Sequence, residues 1–155
     1  MDQKTIEQYI DQVIEDREDL FLVSFKLNNG NDIQIMIDGD KGASLEDCMT
    51  ISRYIENRLD REVEDFSLTV TTPDISKPIE NPRQYNKNIG RILQLITEDN
   101  KVEGELIAIK DKALILEYKA RVPKEIGKGK MTVVKQEIIK IDTIKKATVK
   151  IVFNS

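Results

Sequence analysis

Three of the four prolines in this 155-residue chain, Pro73, Pro78 and Pro82, lie within ten residues of one another. Proline lacks the backbone N–H, fixes φ and restricts the residue before it, so neither a helix nor a central strand continues through this segment. Such a segment is typical of a stiff, extended linker. We therefore predict two folded domains, residues 1–79 and 80–155, with a linker over residues 73–82.

The charged side chains are divided unevenly between the two parts. Residues 1–80 contain 19 acidic and 8 basic side chains, a net charge of −11, whereas residues 81–155 contain 9 acidic and 16 basic ones, a net charge of +7. A basic domain is suited to binding phosphate groups, and an acidic domain is suited to binding a basic partner. Lysine-rich strands also protect solvent-facing sheet edges from aggregation, so the charge pattern alone leaves both interpretations open.

The first domain is predicted to be α/β. Ile33, Ile35 and Ile37 recur at every second position, as in a strand with one buried face, and they follow a hairpin turn at residues 28–31. Ser44, with Asp47 three residues later, predicts a capped helix start. The predicted elements are a helix over 3–17, strands over 20–27 and 33–37, a helix from residue 44 and a strand over 67–72. The apolar face of the second helix is predicted to carry Leu45, Cys48, Ile51 or Ser52, Ile55 and Leu59. This αββαβ order predicts a three-stranded sheet covered by two helices.

The second domain is predicted to be all-β, which makes the fold class α+β. Its candidate strands are residues 91–97, 102–109, 113–118, 131–139 and 147–153, with a long loop over 121–130. Five short antiparallel strands predict a closed or nearly closed small barrel, which leaves few sheet edges exposed. Gly104, inside a strand, permits the sharp bend that such closure requires.

The residue types exclude whole classes of catalyst. The chain has no histidine, so Ser-His and Cys-His dyads and His-ligated metal sites are ruled out. The single cysteine, Cys48, lies on the predicted apolar helix face, where a buried, inert thiol is expected. The run Asp38-Gly39-Asp40-Lys41-Gly42 lacks the spacing of a calcium loop, because Met49 stands where a bidentate glutamate is needed. We predict no catalytic, metal or cofactor-binding residue and no enzymatic activity.

A glycine- and lysine-rich stretch, Gly127-Lys128-Gly129-Lys130, resembles part of a phosphate loop. A nucleotide-binding loop is followed by a helix, whereas the next residues, Met131 to Val134, favour a strand. Two interpretations remain: a mobile hairpin tip, or a tip that touches RNA phosphate. No signal peptide and no apolar run long enough to cross a membrane are found, so a cytoplasmic location is expected.

Several short motifs, in one order and spacing, resemble the ribosome maturation factor RimP family. They are Asp38 to Cys48, Ile51-Ser52-Arg53, Leu59-Asp60, Leu68 to Pro73, Lys77-Pro78-Ile79, Asn88 to Arg91, Gly104-Glu105-Leu106 and Leu114-Ile115-Leu116. The resemblance implies an N-terminal α/β domain followed by an Sm-like, SH3-type barrel. It also implies a bacterial cytoplasmic assembly factor that binds the immature small (30S) ribosomal subunit.

The linker departs from the family pattern. Thr72-Pro73-Asp74 stands where the family has Ser-Pro-Gly, and Lys77 replaces an arginine before the second proline. Asp74 lacks glycine's access to positive φ, and lysine lacks the planar fork of arginine. Lys77 is the only linker residue that the resemblance carries over as an RNA contact.

The basic side chains of the second half are the candidate contacts with a structured RNA, recognised by shape and charge because aromatic residues are few. The candidate residues are Lys77, Arg83, Lys87, Arg91, Lys110, Lys112, Lys124, Lys128 and Lys130. The predicted partners are ribosomal RNA and a basic ribosomal protein, with no membrane or small-molecule substrate, and the chain is expected to be a monomer. Two rival classes remain: an Sm-like protein that binds short transcripts, and a carboxylate enzyme with a bound metal.

Overall fold

The computed structural model describes residues 1–151 of the chain. The chain divides between Asp74 and Ile75 into two compact units, called here the first and the second unit. The first unit contains two α-helices and a three-stranded sheet, and the second contains a five-stranded antiparallel sheet. The predicted α+β fold class is confirmed.

The first unit has the predicted order of elements. They are helix α1 (Gln3–Val13), strand β1 (Leu20–Asn28), strand β2 (Asp32–Gly39), helix α2 (Leu45–Glu56) and strand β3 (Ser67–Thr71). Strand β2 is central: it pairs antiparallel with β1 and parallel with β3. The parallel pairing requires a long crossover connection, and α2 lies within that connection.

The core of the first unit lies between its sheet and its helices. Ile33, Ile35 and Ile37 of β2 are buried, as their alternation predicts, whereas Gln34 between them is exposed. The helices and the segment before β3 contribute the other buried members of the cluster: Ile6, Ile10, Cys48, Ile51, Ile55 and Phe66. Leu45 was predicted on the apolar face of α2, but as its first residue it is 77% exposed, and the buried stripe begins one turn later at Cys48.

A capping box fixes the start of α2. The Ser44 N–H donates to Asp47 Oδ2 (2.9 Å), and the Asp47 N–H donates to Ser44 Oγ (3.0 Å). Arg17 also donates to Asp47, with Nη1 2.8 Å from Oδ1. The Ser44 amide, and after it the Arg17 guanidinium, hold the pKa of Asp47 below its ordinary value. The capped start predicted from Ser44 and Asp47 is confirmed.

This network predicts a pH-dependent effect of Asp47→Asn. Because the folded-state pKa of Asp47 is depressed, its stabilising contribution is present above the unfolded-state value of about 3.9 and is lost as the pH falls through the folded value. Urea unfolding at pH 7 should therefore give a lower free energy of unfolding for Asp47→Asn than for wild type. The difference should shrink as the pH is lowered below 4. Asp11→Asn, an exposed change on α1, is the control. If it lowers the free energy of unfolding as much as Asp47→Asn does, Asp47 has no specific stabilising role.

The second unit is built from antiparallel strands. Its elements are a 3-10 helix (Pro82–Asn88), strands β4 (Ile92–Thr97), β5 (Lys101–Lys110), β6 (Ala113–Pro123) and β7 (Lys130–Lys140), a 3-10 turn (Ile141–Thr143) and strand β8 (Ile144–Val149). The strand order is β7-β6-β5-β4-β8. The two edge strands, β7 and β8, are thus consecutive in the chain. The segment before the 3-10 helix joins this unit, because the Ile79 N–H donates to Ala147 O (2.8 Å).

Strand lengths differ from prediction at two places. Strand β6 runs to Pro123 and pairs with β7 as far as Lys130, so the predicted 121–130 loop is a shorter connection over 124–129. Strand β8 begins earlier than predicted, at Ile144, and ends at Val149. Phe153, at the end of the predicted last strand, lies outside the described residues.

The core of the second unit is aliphatic with one tyrosine. Leu93, Leu95, Leu106, Leu114 and Leu116 are at most 1% exposed, and Tyr85 of the 3-10 helix packs with them. Burial raises the pKa of Tyr85 to about 12. The leucines come from β4, β5 and β6, so the core depends on the pairing of these strands.

Gly104 of β5 lies where β6 approaches most closely. A Cβ atom at this position would be 2.9 Å from Glu117 O and 3.2 Å from Leu116 Cβ. The pairing of β5 with β6 also shifts register between Leu106 and Ala108. Glycine is needed here because the backbones are close, and the neighbouring bulge bends the strand.

Candidate nucleic-acid interface

The predicted contact residues of the second unit form three groups. Arg83, Lys87 and Arg91 lie on or just after the first 3-10 helix, Lys110 and Lys112 flank the β5–β6 turn, and Lys124, Lys128 and Lys130 lie at the β6–β7 connection. Lys77 precedes the helix. All of these side chains are exposed except Lys87, which is partly buried.

The first group rests on a buried polar network. Gln84 Oε1 accepts from the N–H of Glu80 (2.9 Å) and of Asn81 (2.8 Å). Asn88 Nδ2 donates to Gln84 O (2.8 Å), and Arg91 Nη1 donates to Asn88 Oδ1 (2.9 Å). Gln84 and Asn88 are buried. The exposed guanidinium of Arg91 is therefore held by a fixed acceptor at the start of β4.

The second group lies at a tight turn. Asp111 and Lys112 have positive φ values of 51° and 61°, and the Ile141 N–H donates to Lys112 O (3.0 Å). Lys140 pairs with Ala113, the residue after the turn. Lys140 therefore lies beside Lys110 and Lys112, although it was not among the predicted contacts.

The third group lies at the opposite end of β6. The Lys124 N–H donates to Gly129 O (3.1 Å), and Gly127 and Gly129 have positive φ. Strand β6, with its 11 residues from Ala113 to Pro123, separates this group from the β5–β6 turn. Its length is about 33 Å at the usual rise of a strand. The predicted residues therefore do not form one compact site, and only an extended ligand could contact both groups.

Two further cations, not among the predicted contacts, lie on the same strand. Lys119 and Arg121 are exposed residues of β6, and they pair with Val134 and Thr132 of β7. Paired residues of an antiparallel ladder share one face, as do positions two apart along a strand. Lys119, Arg121 and Lys130 therefore share a face. Alternation along 119, 121 and 123 was the available signal, but the segment from 121 onward was predicted as a loop.

The first unit is acidic, and two of its arginines, Arg17 and Arg61, form ion pairs with carboxylates. Residues 1–74 contain 18 acidic and 7 basic side chains, a net charge of −11. Arg17 lies 3.1 Å from Asp19 and 2.8 Å from Asp47, and Arg61 lies 3.3 Å from both Glu56 and Asp65. These contacts leave the acidic excess of the unit facing solvent.

Other chemical possibilities have little structural basis. Cys48 is buried, and that burial raises the pKa of its thiol, which disfavours the reactive thiolate. Asp38, the first residue of the run considered for calcium, lies in β2, is buried and accepts from the Gly39 N–H (2.8 Å). Within residues 1–151, no three acidic or cysteine side chains come together as metal ligands, and no helix could span a membrane.

Comparison with known proteins gives one family. Residues 9–76 match the model of the RimP N-terminal domain. The chain is 47% identical over 148 residues to a protein of Christiangramia forsetii named ribosome maturation factor RimP, covering 96% of this chain and 97% of that one. Proteins of the same name from Flavobacterium psychrophilum and Porphyromonas gingivalis are 42% and 32% identical, over 96% and 82% of this chain and 96% and 84% of their own. The chain therefore belongs to the ribosome maturation factor RimP family.

Proposed function

We propose that this protein is a cytoplasmic ribosome maturation factor that binds the immature small ribosomal subunit and catalyses no reaction. The observation that carries the proposal is the opposite charge of its two units. Residues 1–74 have a net charge of −11, and residues 75–155, with 10 acidic and 17 basic side chains, have +7. Because the chain belongs to the RimP family, we infer that these charged surfaces contact a ribosomal partner.

The positive and negative charges of the two units are suited to RNA and to basic protein, the two components of a ribosomal particle. A basic surface attracts the RNA backbone, and neutralising each phosphate releases a counterion, so such binding weakens with salt. An acidic surface attracts a basic ribosomal protein and repels RNA. In this proposal the second unit contacts ribosomal RNA, and the first unit contacts a basic ribosomal protein and sets the orientation.

Binding alone is sufficient for the proposed activity. A factor that binds one conformation of the immature subunit more tightly shifts the subunit toward that conformation. The shift is limited by the ratio of the factor's affinities for the two conformations. A tenfold preference corresponds to about 1.4 kcal/mol. No bond is made or broken, and no cofactor is required.

Co-sedimentation with small subunits tests the proposal. The protein is pelleted with immature and with mature small subunits over a series of salt concentrations. We expect it to pellet with immature subunits at low salt and to be released as salt rises, with weaker binding to mature subunits throughout. Absence of binding to immature particles, or binding that does not change with salt, would contradict the proposal.

An Sm-like protein that binds short transcripts is the second candidate. Strands β7 and β8 are the edges of the five-stranded sheet, and the outer backbone groups of edge strands can pair with another copy, here into a ring. Part of the β8 edge is already covered, because Ala147 O accepts from the Ile79 N–H. The mass in solution separates the two candidates. A monomer that binds subunits more tightly than single-stranded RNA supports the maturation factor, and a ring with the reverse preference supports the rival.

A further inference from the structure

Strands β6 and β7 continue beyond the rest of their sheet. The pairing of β5 with β6 ends at Glu117, whereas β6 and β7 remain paired from Tyr118 with Lys135 to Pro123 with Lys130. Within the described residues, this part of β6 pairs with β7 alone. Residues 118–135, called here the arm, therefore form a two-stranded ribbon with a tip over 124–129.

The positive charge of the second unit is concentrated in the arm. These 18 residues contain six basic side chains and one acidic side chain, a net charge of +5, out of +7 for residues 75–155. All seven charged side chains are exposed, and none forms an ion pair within residues 1–151. Arg17 and Arg61 of the first unit, by contrast, are held by carboxylates. The arm thus presents unneutralised charge to solvent.

The register places most of the strand cations of the arm on one face, called here the outward face. Its three cross-strand pairs are Lys119 with Val134, Arg121 with Thr132 and Pro123 with Lys130. The opposite face carries only Lys135, paired with Tyr118, among its strand cations. Successive positions on one face are about 6.6–6.8 Å apart along a strand. The outward face therefore presents a regular row of cations.

Carboxylates limit this row on the side nearest the sheet. Glu103, Glu105 and Glu117 line a concavity with Lys119 at the base of the arm. The Glu103 carboxylate accepts hydrogen bonds from Lys150 Nζ (3.2 Å) and Gln94 Nε2 (2.7 Å). An anionic ligand is repelled from this concavity. The favourable surface runs from Lys119 outward to the tip.

We propose that the outward face of the arm, through Lys119, Arg121 and Lys130, binds the sugar-phosphate backbone of ribosomal RNA in the immature subunit. The inference rests on the proposed function and specifies the element that makes the RNA contact. RNA carries one charge per nucleotide and so matches a regular row of cations. Arg121 can bind phosphate oxygens in bidentate fashion, and the hydroxyl of Thr132 beside it is a further donor.

The tip adds an apolar contact. Ile126 is 90% exposed and lies between Lys124 and Lys128. Apolar side chains on basic elements contact bases and sugars once the cations have engaged the backbone. We therefore place Ile126 next to RNA in the complex.

A pair of lysines on one strand tests the proposal. Lys130→Glu and Lys135→Glu make the same charge change in β7, five residues apart and on opposite faces of the arm. We expect Lys130→Glu and Arg121→Glu each to weaken pelleting with immature subunits about tenfold and to lower the salt slope by about 1 or more. Lys135→Glu should change affinity less than threefold. Circular dichroism and thermal melting confirm that each exposed change preserves the fold.

The outcomes separate this inference from the proposed function. If wild type binds subunits and Lys135→Glu weakens binding as much as Lys130→Glu does, the face-specific contact is wrong, whereas the function stands. If wild type does not bind, the function itself fails. Replacing Ile126 by p-benzoylphenylalanine and irradiating the complex identifies the class of partner. Adducts to ribosomal RNA support the proposal, and adducts only to ribosomal protein overturn it.

Discussion

Ile35→Asp is expected to destabilise the first unit more than any other change considered for it. Ile35 is 1% exposed at the centre of β2, where it pairs with Phe25 of β1 and Val70 of β3. An aspartate there would be a buried charge without a partner, which costs several kcal/mol or forces the strand out of the sheet. A domain is stable by only about 5–15 kcal/mol. Urea and thermal unfolding should therefore show a large loss of stability.

Gln34→Asp is the matched control for this change. Gln34 is the preceding residue of the same strand and is exposed on the opposite face. Gln34 Nε2 donates to Asp32 Oδ2 (3.1 Å), so losing this exposed bond and adding a like charge should cost about 1 kcal/mol, which is well below the cost of burying a charge. Equal unfolding midpoints for the two variants would show that the register of β2 is wrong.

Gly104→Val is expected to have the largest effect in the second unit. The added Cβ would lie 2.9 Å from the Glu117 carbonyl oxygen, so β5 and β6 would have to separate. Overpacking of this kind typically costs about 1–3 kcal/mol. In a unit of this size, each kcal/mol lowers the melting temperature by roughly 4–8 °C. Circular dichroism recorded during thermal melting measures the change in melting temperature.

Glu105→Val provides the comparison at the next position of β5. Glu105 is exposed and pairs with Ile92 and Glu117. Valine favours a strand, so this substitution should leave the melting temperature unchanged or raise it slightly. A Gly104→Val protein that melts at the wild-type temperature would mean that the two backbones are farther apart than the structure indicates.

Local signals predicted the first unit well. The recurrence of isoleucine at 33, 35 and 37 and the pairing of Ser44 with Asp47 each involve residues a few positions apart, and both are found as predicted. The parallel pairing of β2 with β3 joins Ile35 to Val70. No local pattern specifies a partner at that distance, so the sequence predicted the strands but not their parallel arrangement.

The arm shows why the candidate site was only partly predicted. Lys119, Arg121 and Pro123 alternate with Ala120 and Val122, but this short alternation leads into a proline and a glycine- and lysine-rich stretch, so the predicted strand ended at Tyr118. They form a strand because β7 supplies the pairing. The charge of the second half was evident from counting residues. Which residues of β6 share a face with Lys130, however, depends on a register that the sequence does not display.

Strand β7 is an edge of its sheet, and lysines recur along it at 130, 135 and 140. Val134 and Ile138 between them are 59% and 71% exposed. A long edge with outward aliphatic side chains can template pairing between copies of a chain, and regularly interposed ammonium groups oppose it by mutual repulsion. These ammonium groups, among them that of Lys130, which is proposed to bind RNA, would thus also keep free molecules dispersed. This protection would fall if a polyanion too short to cover the edge neutralised them.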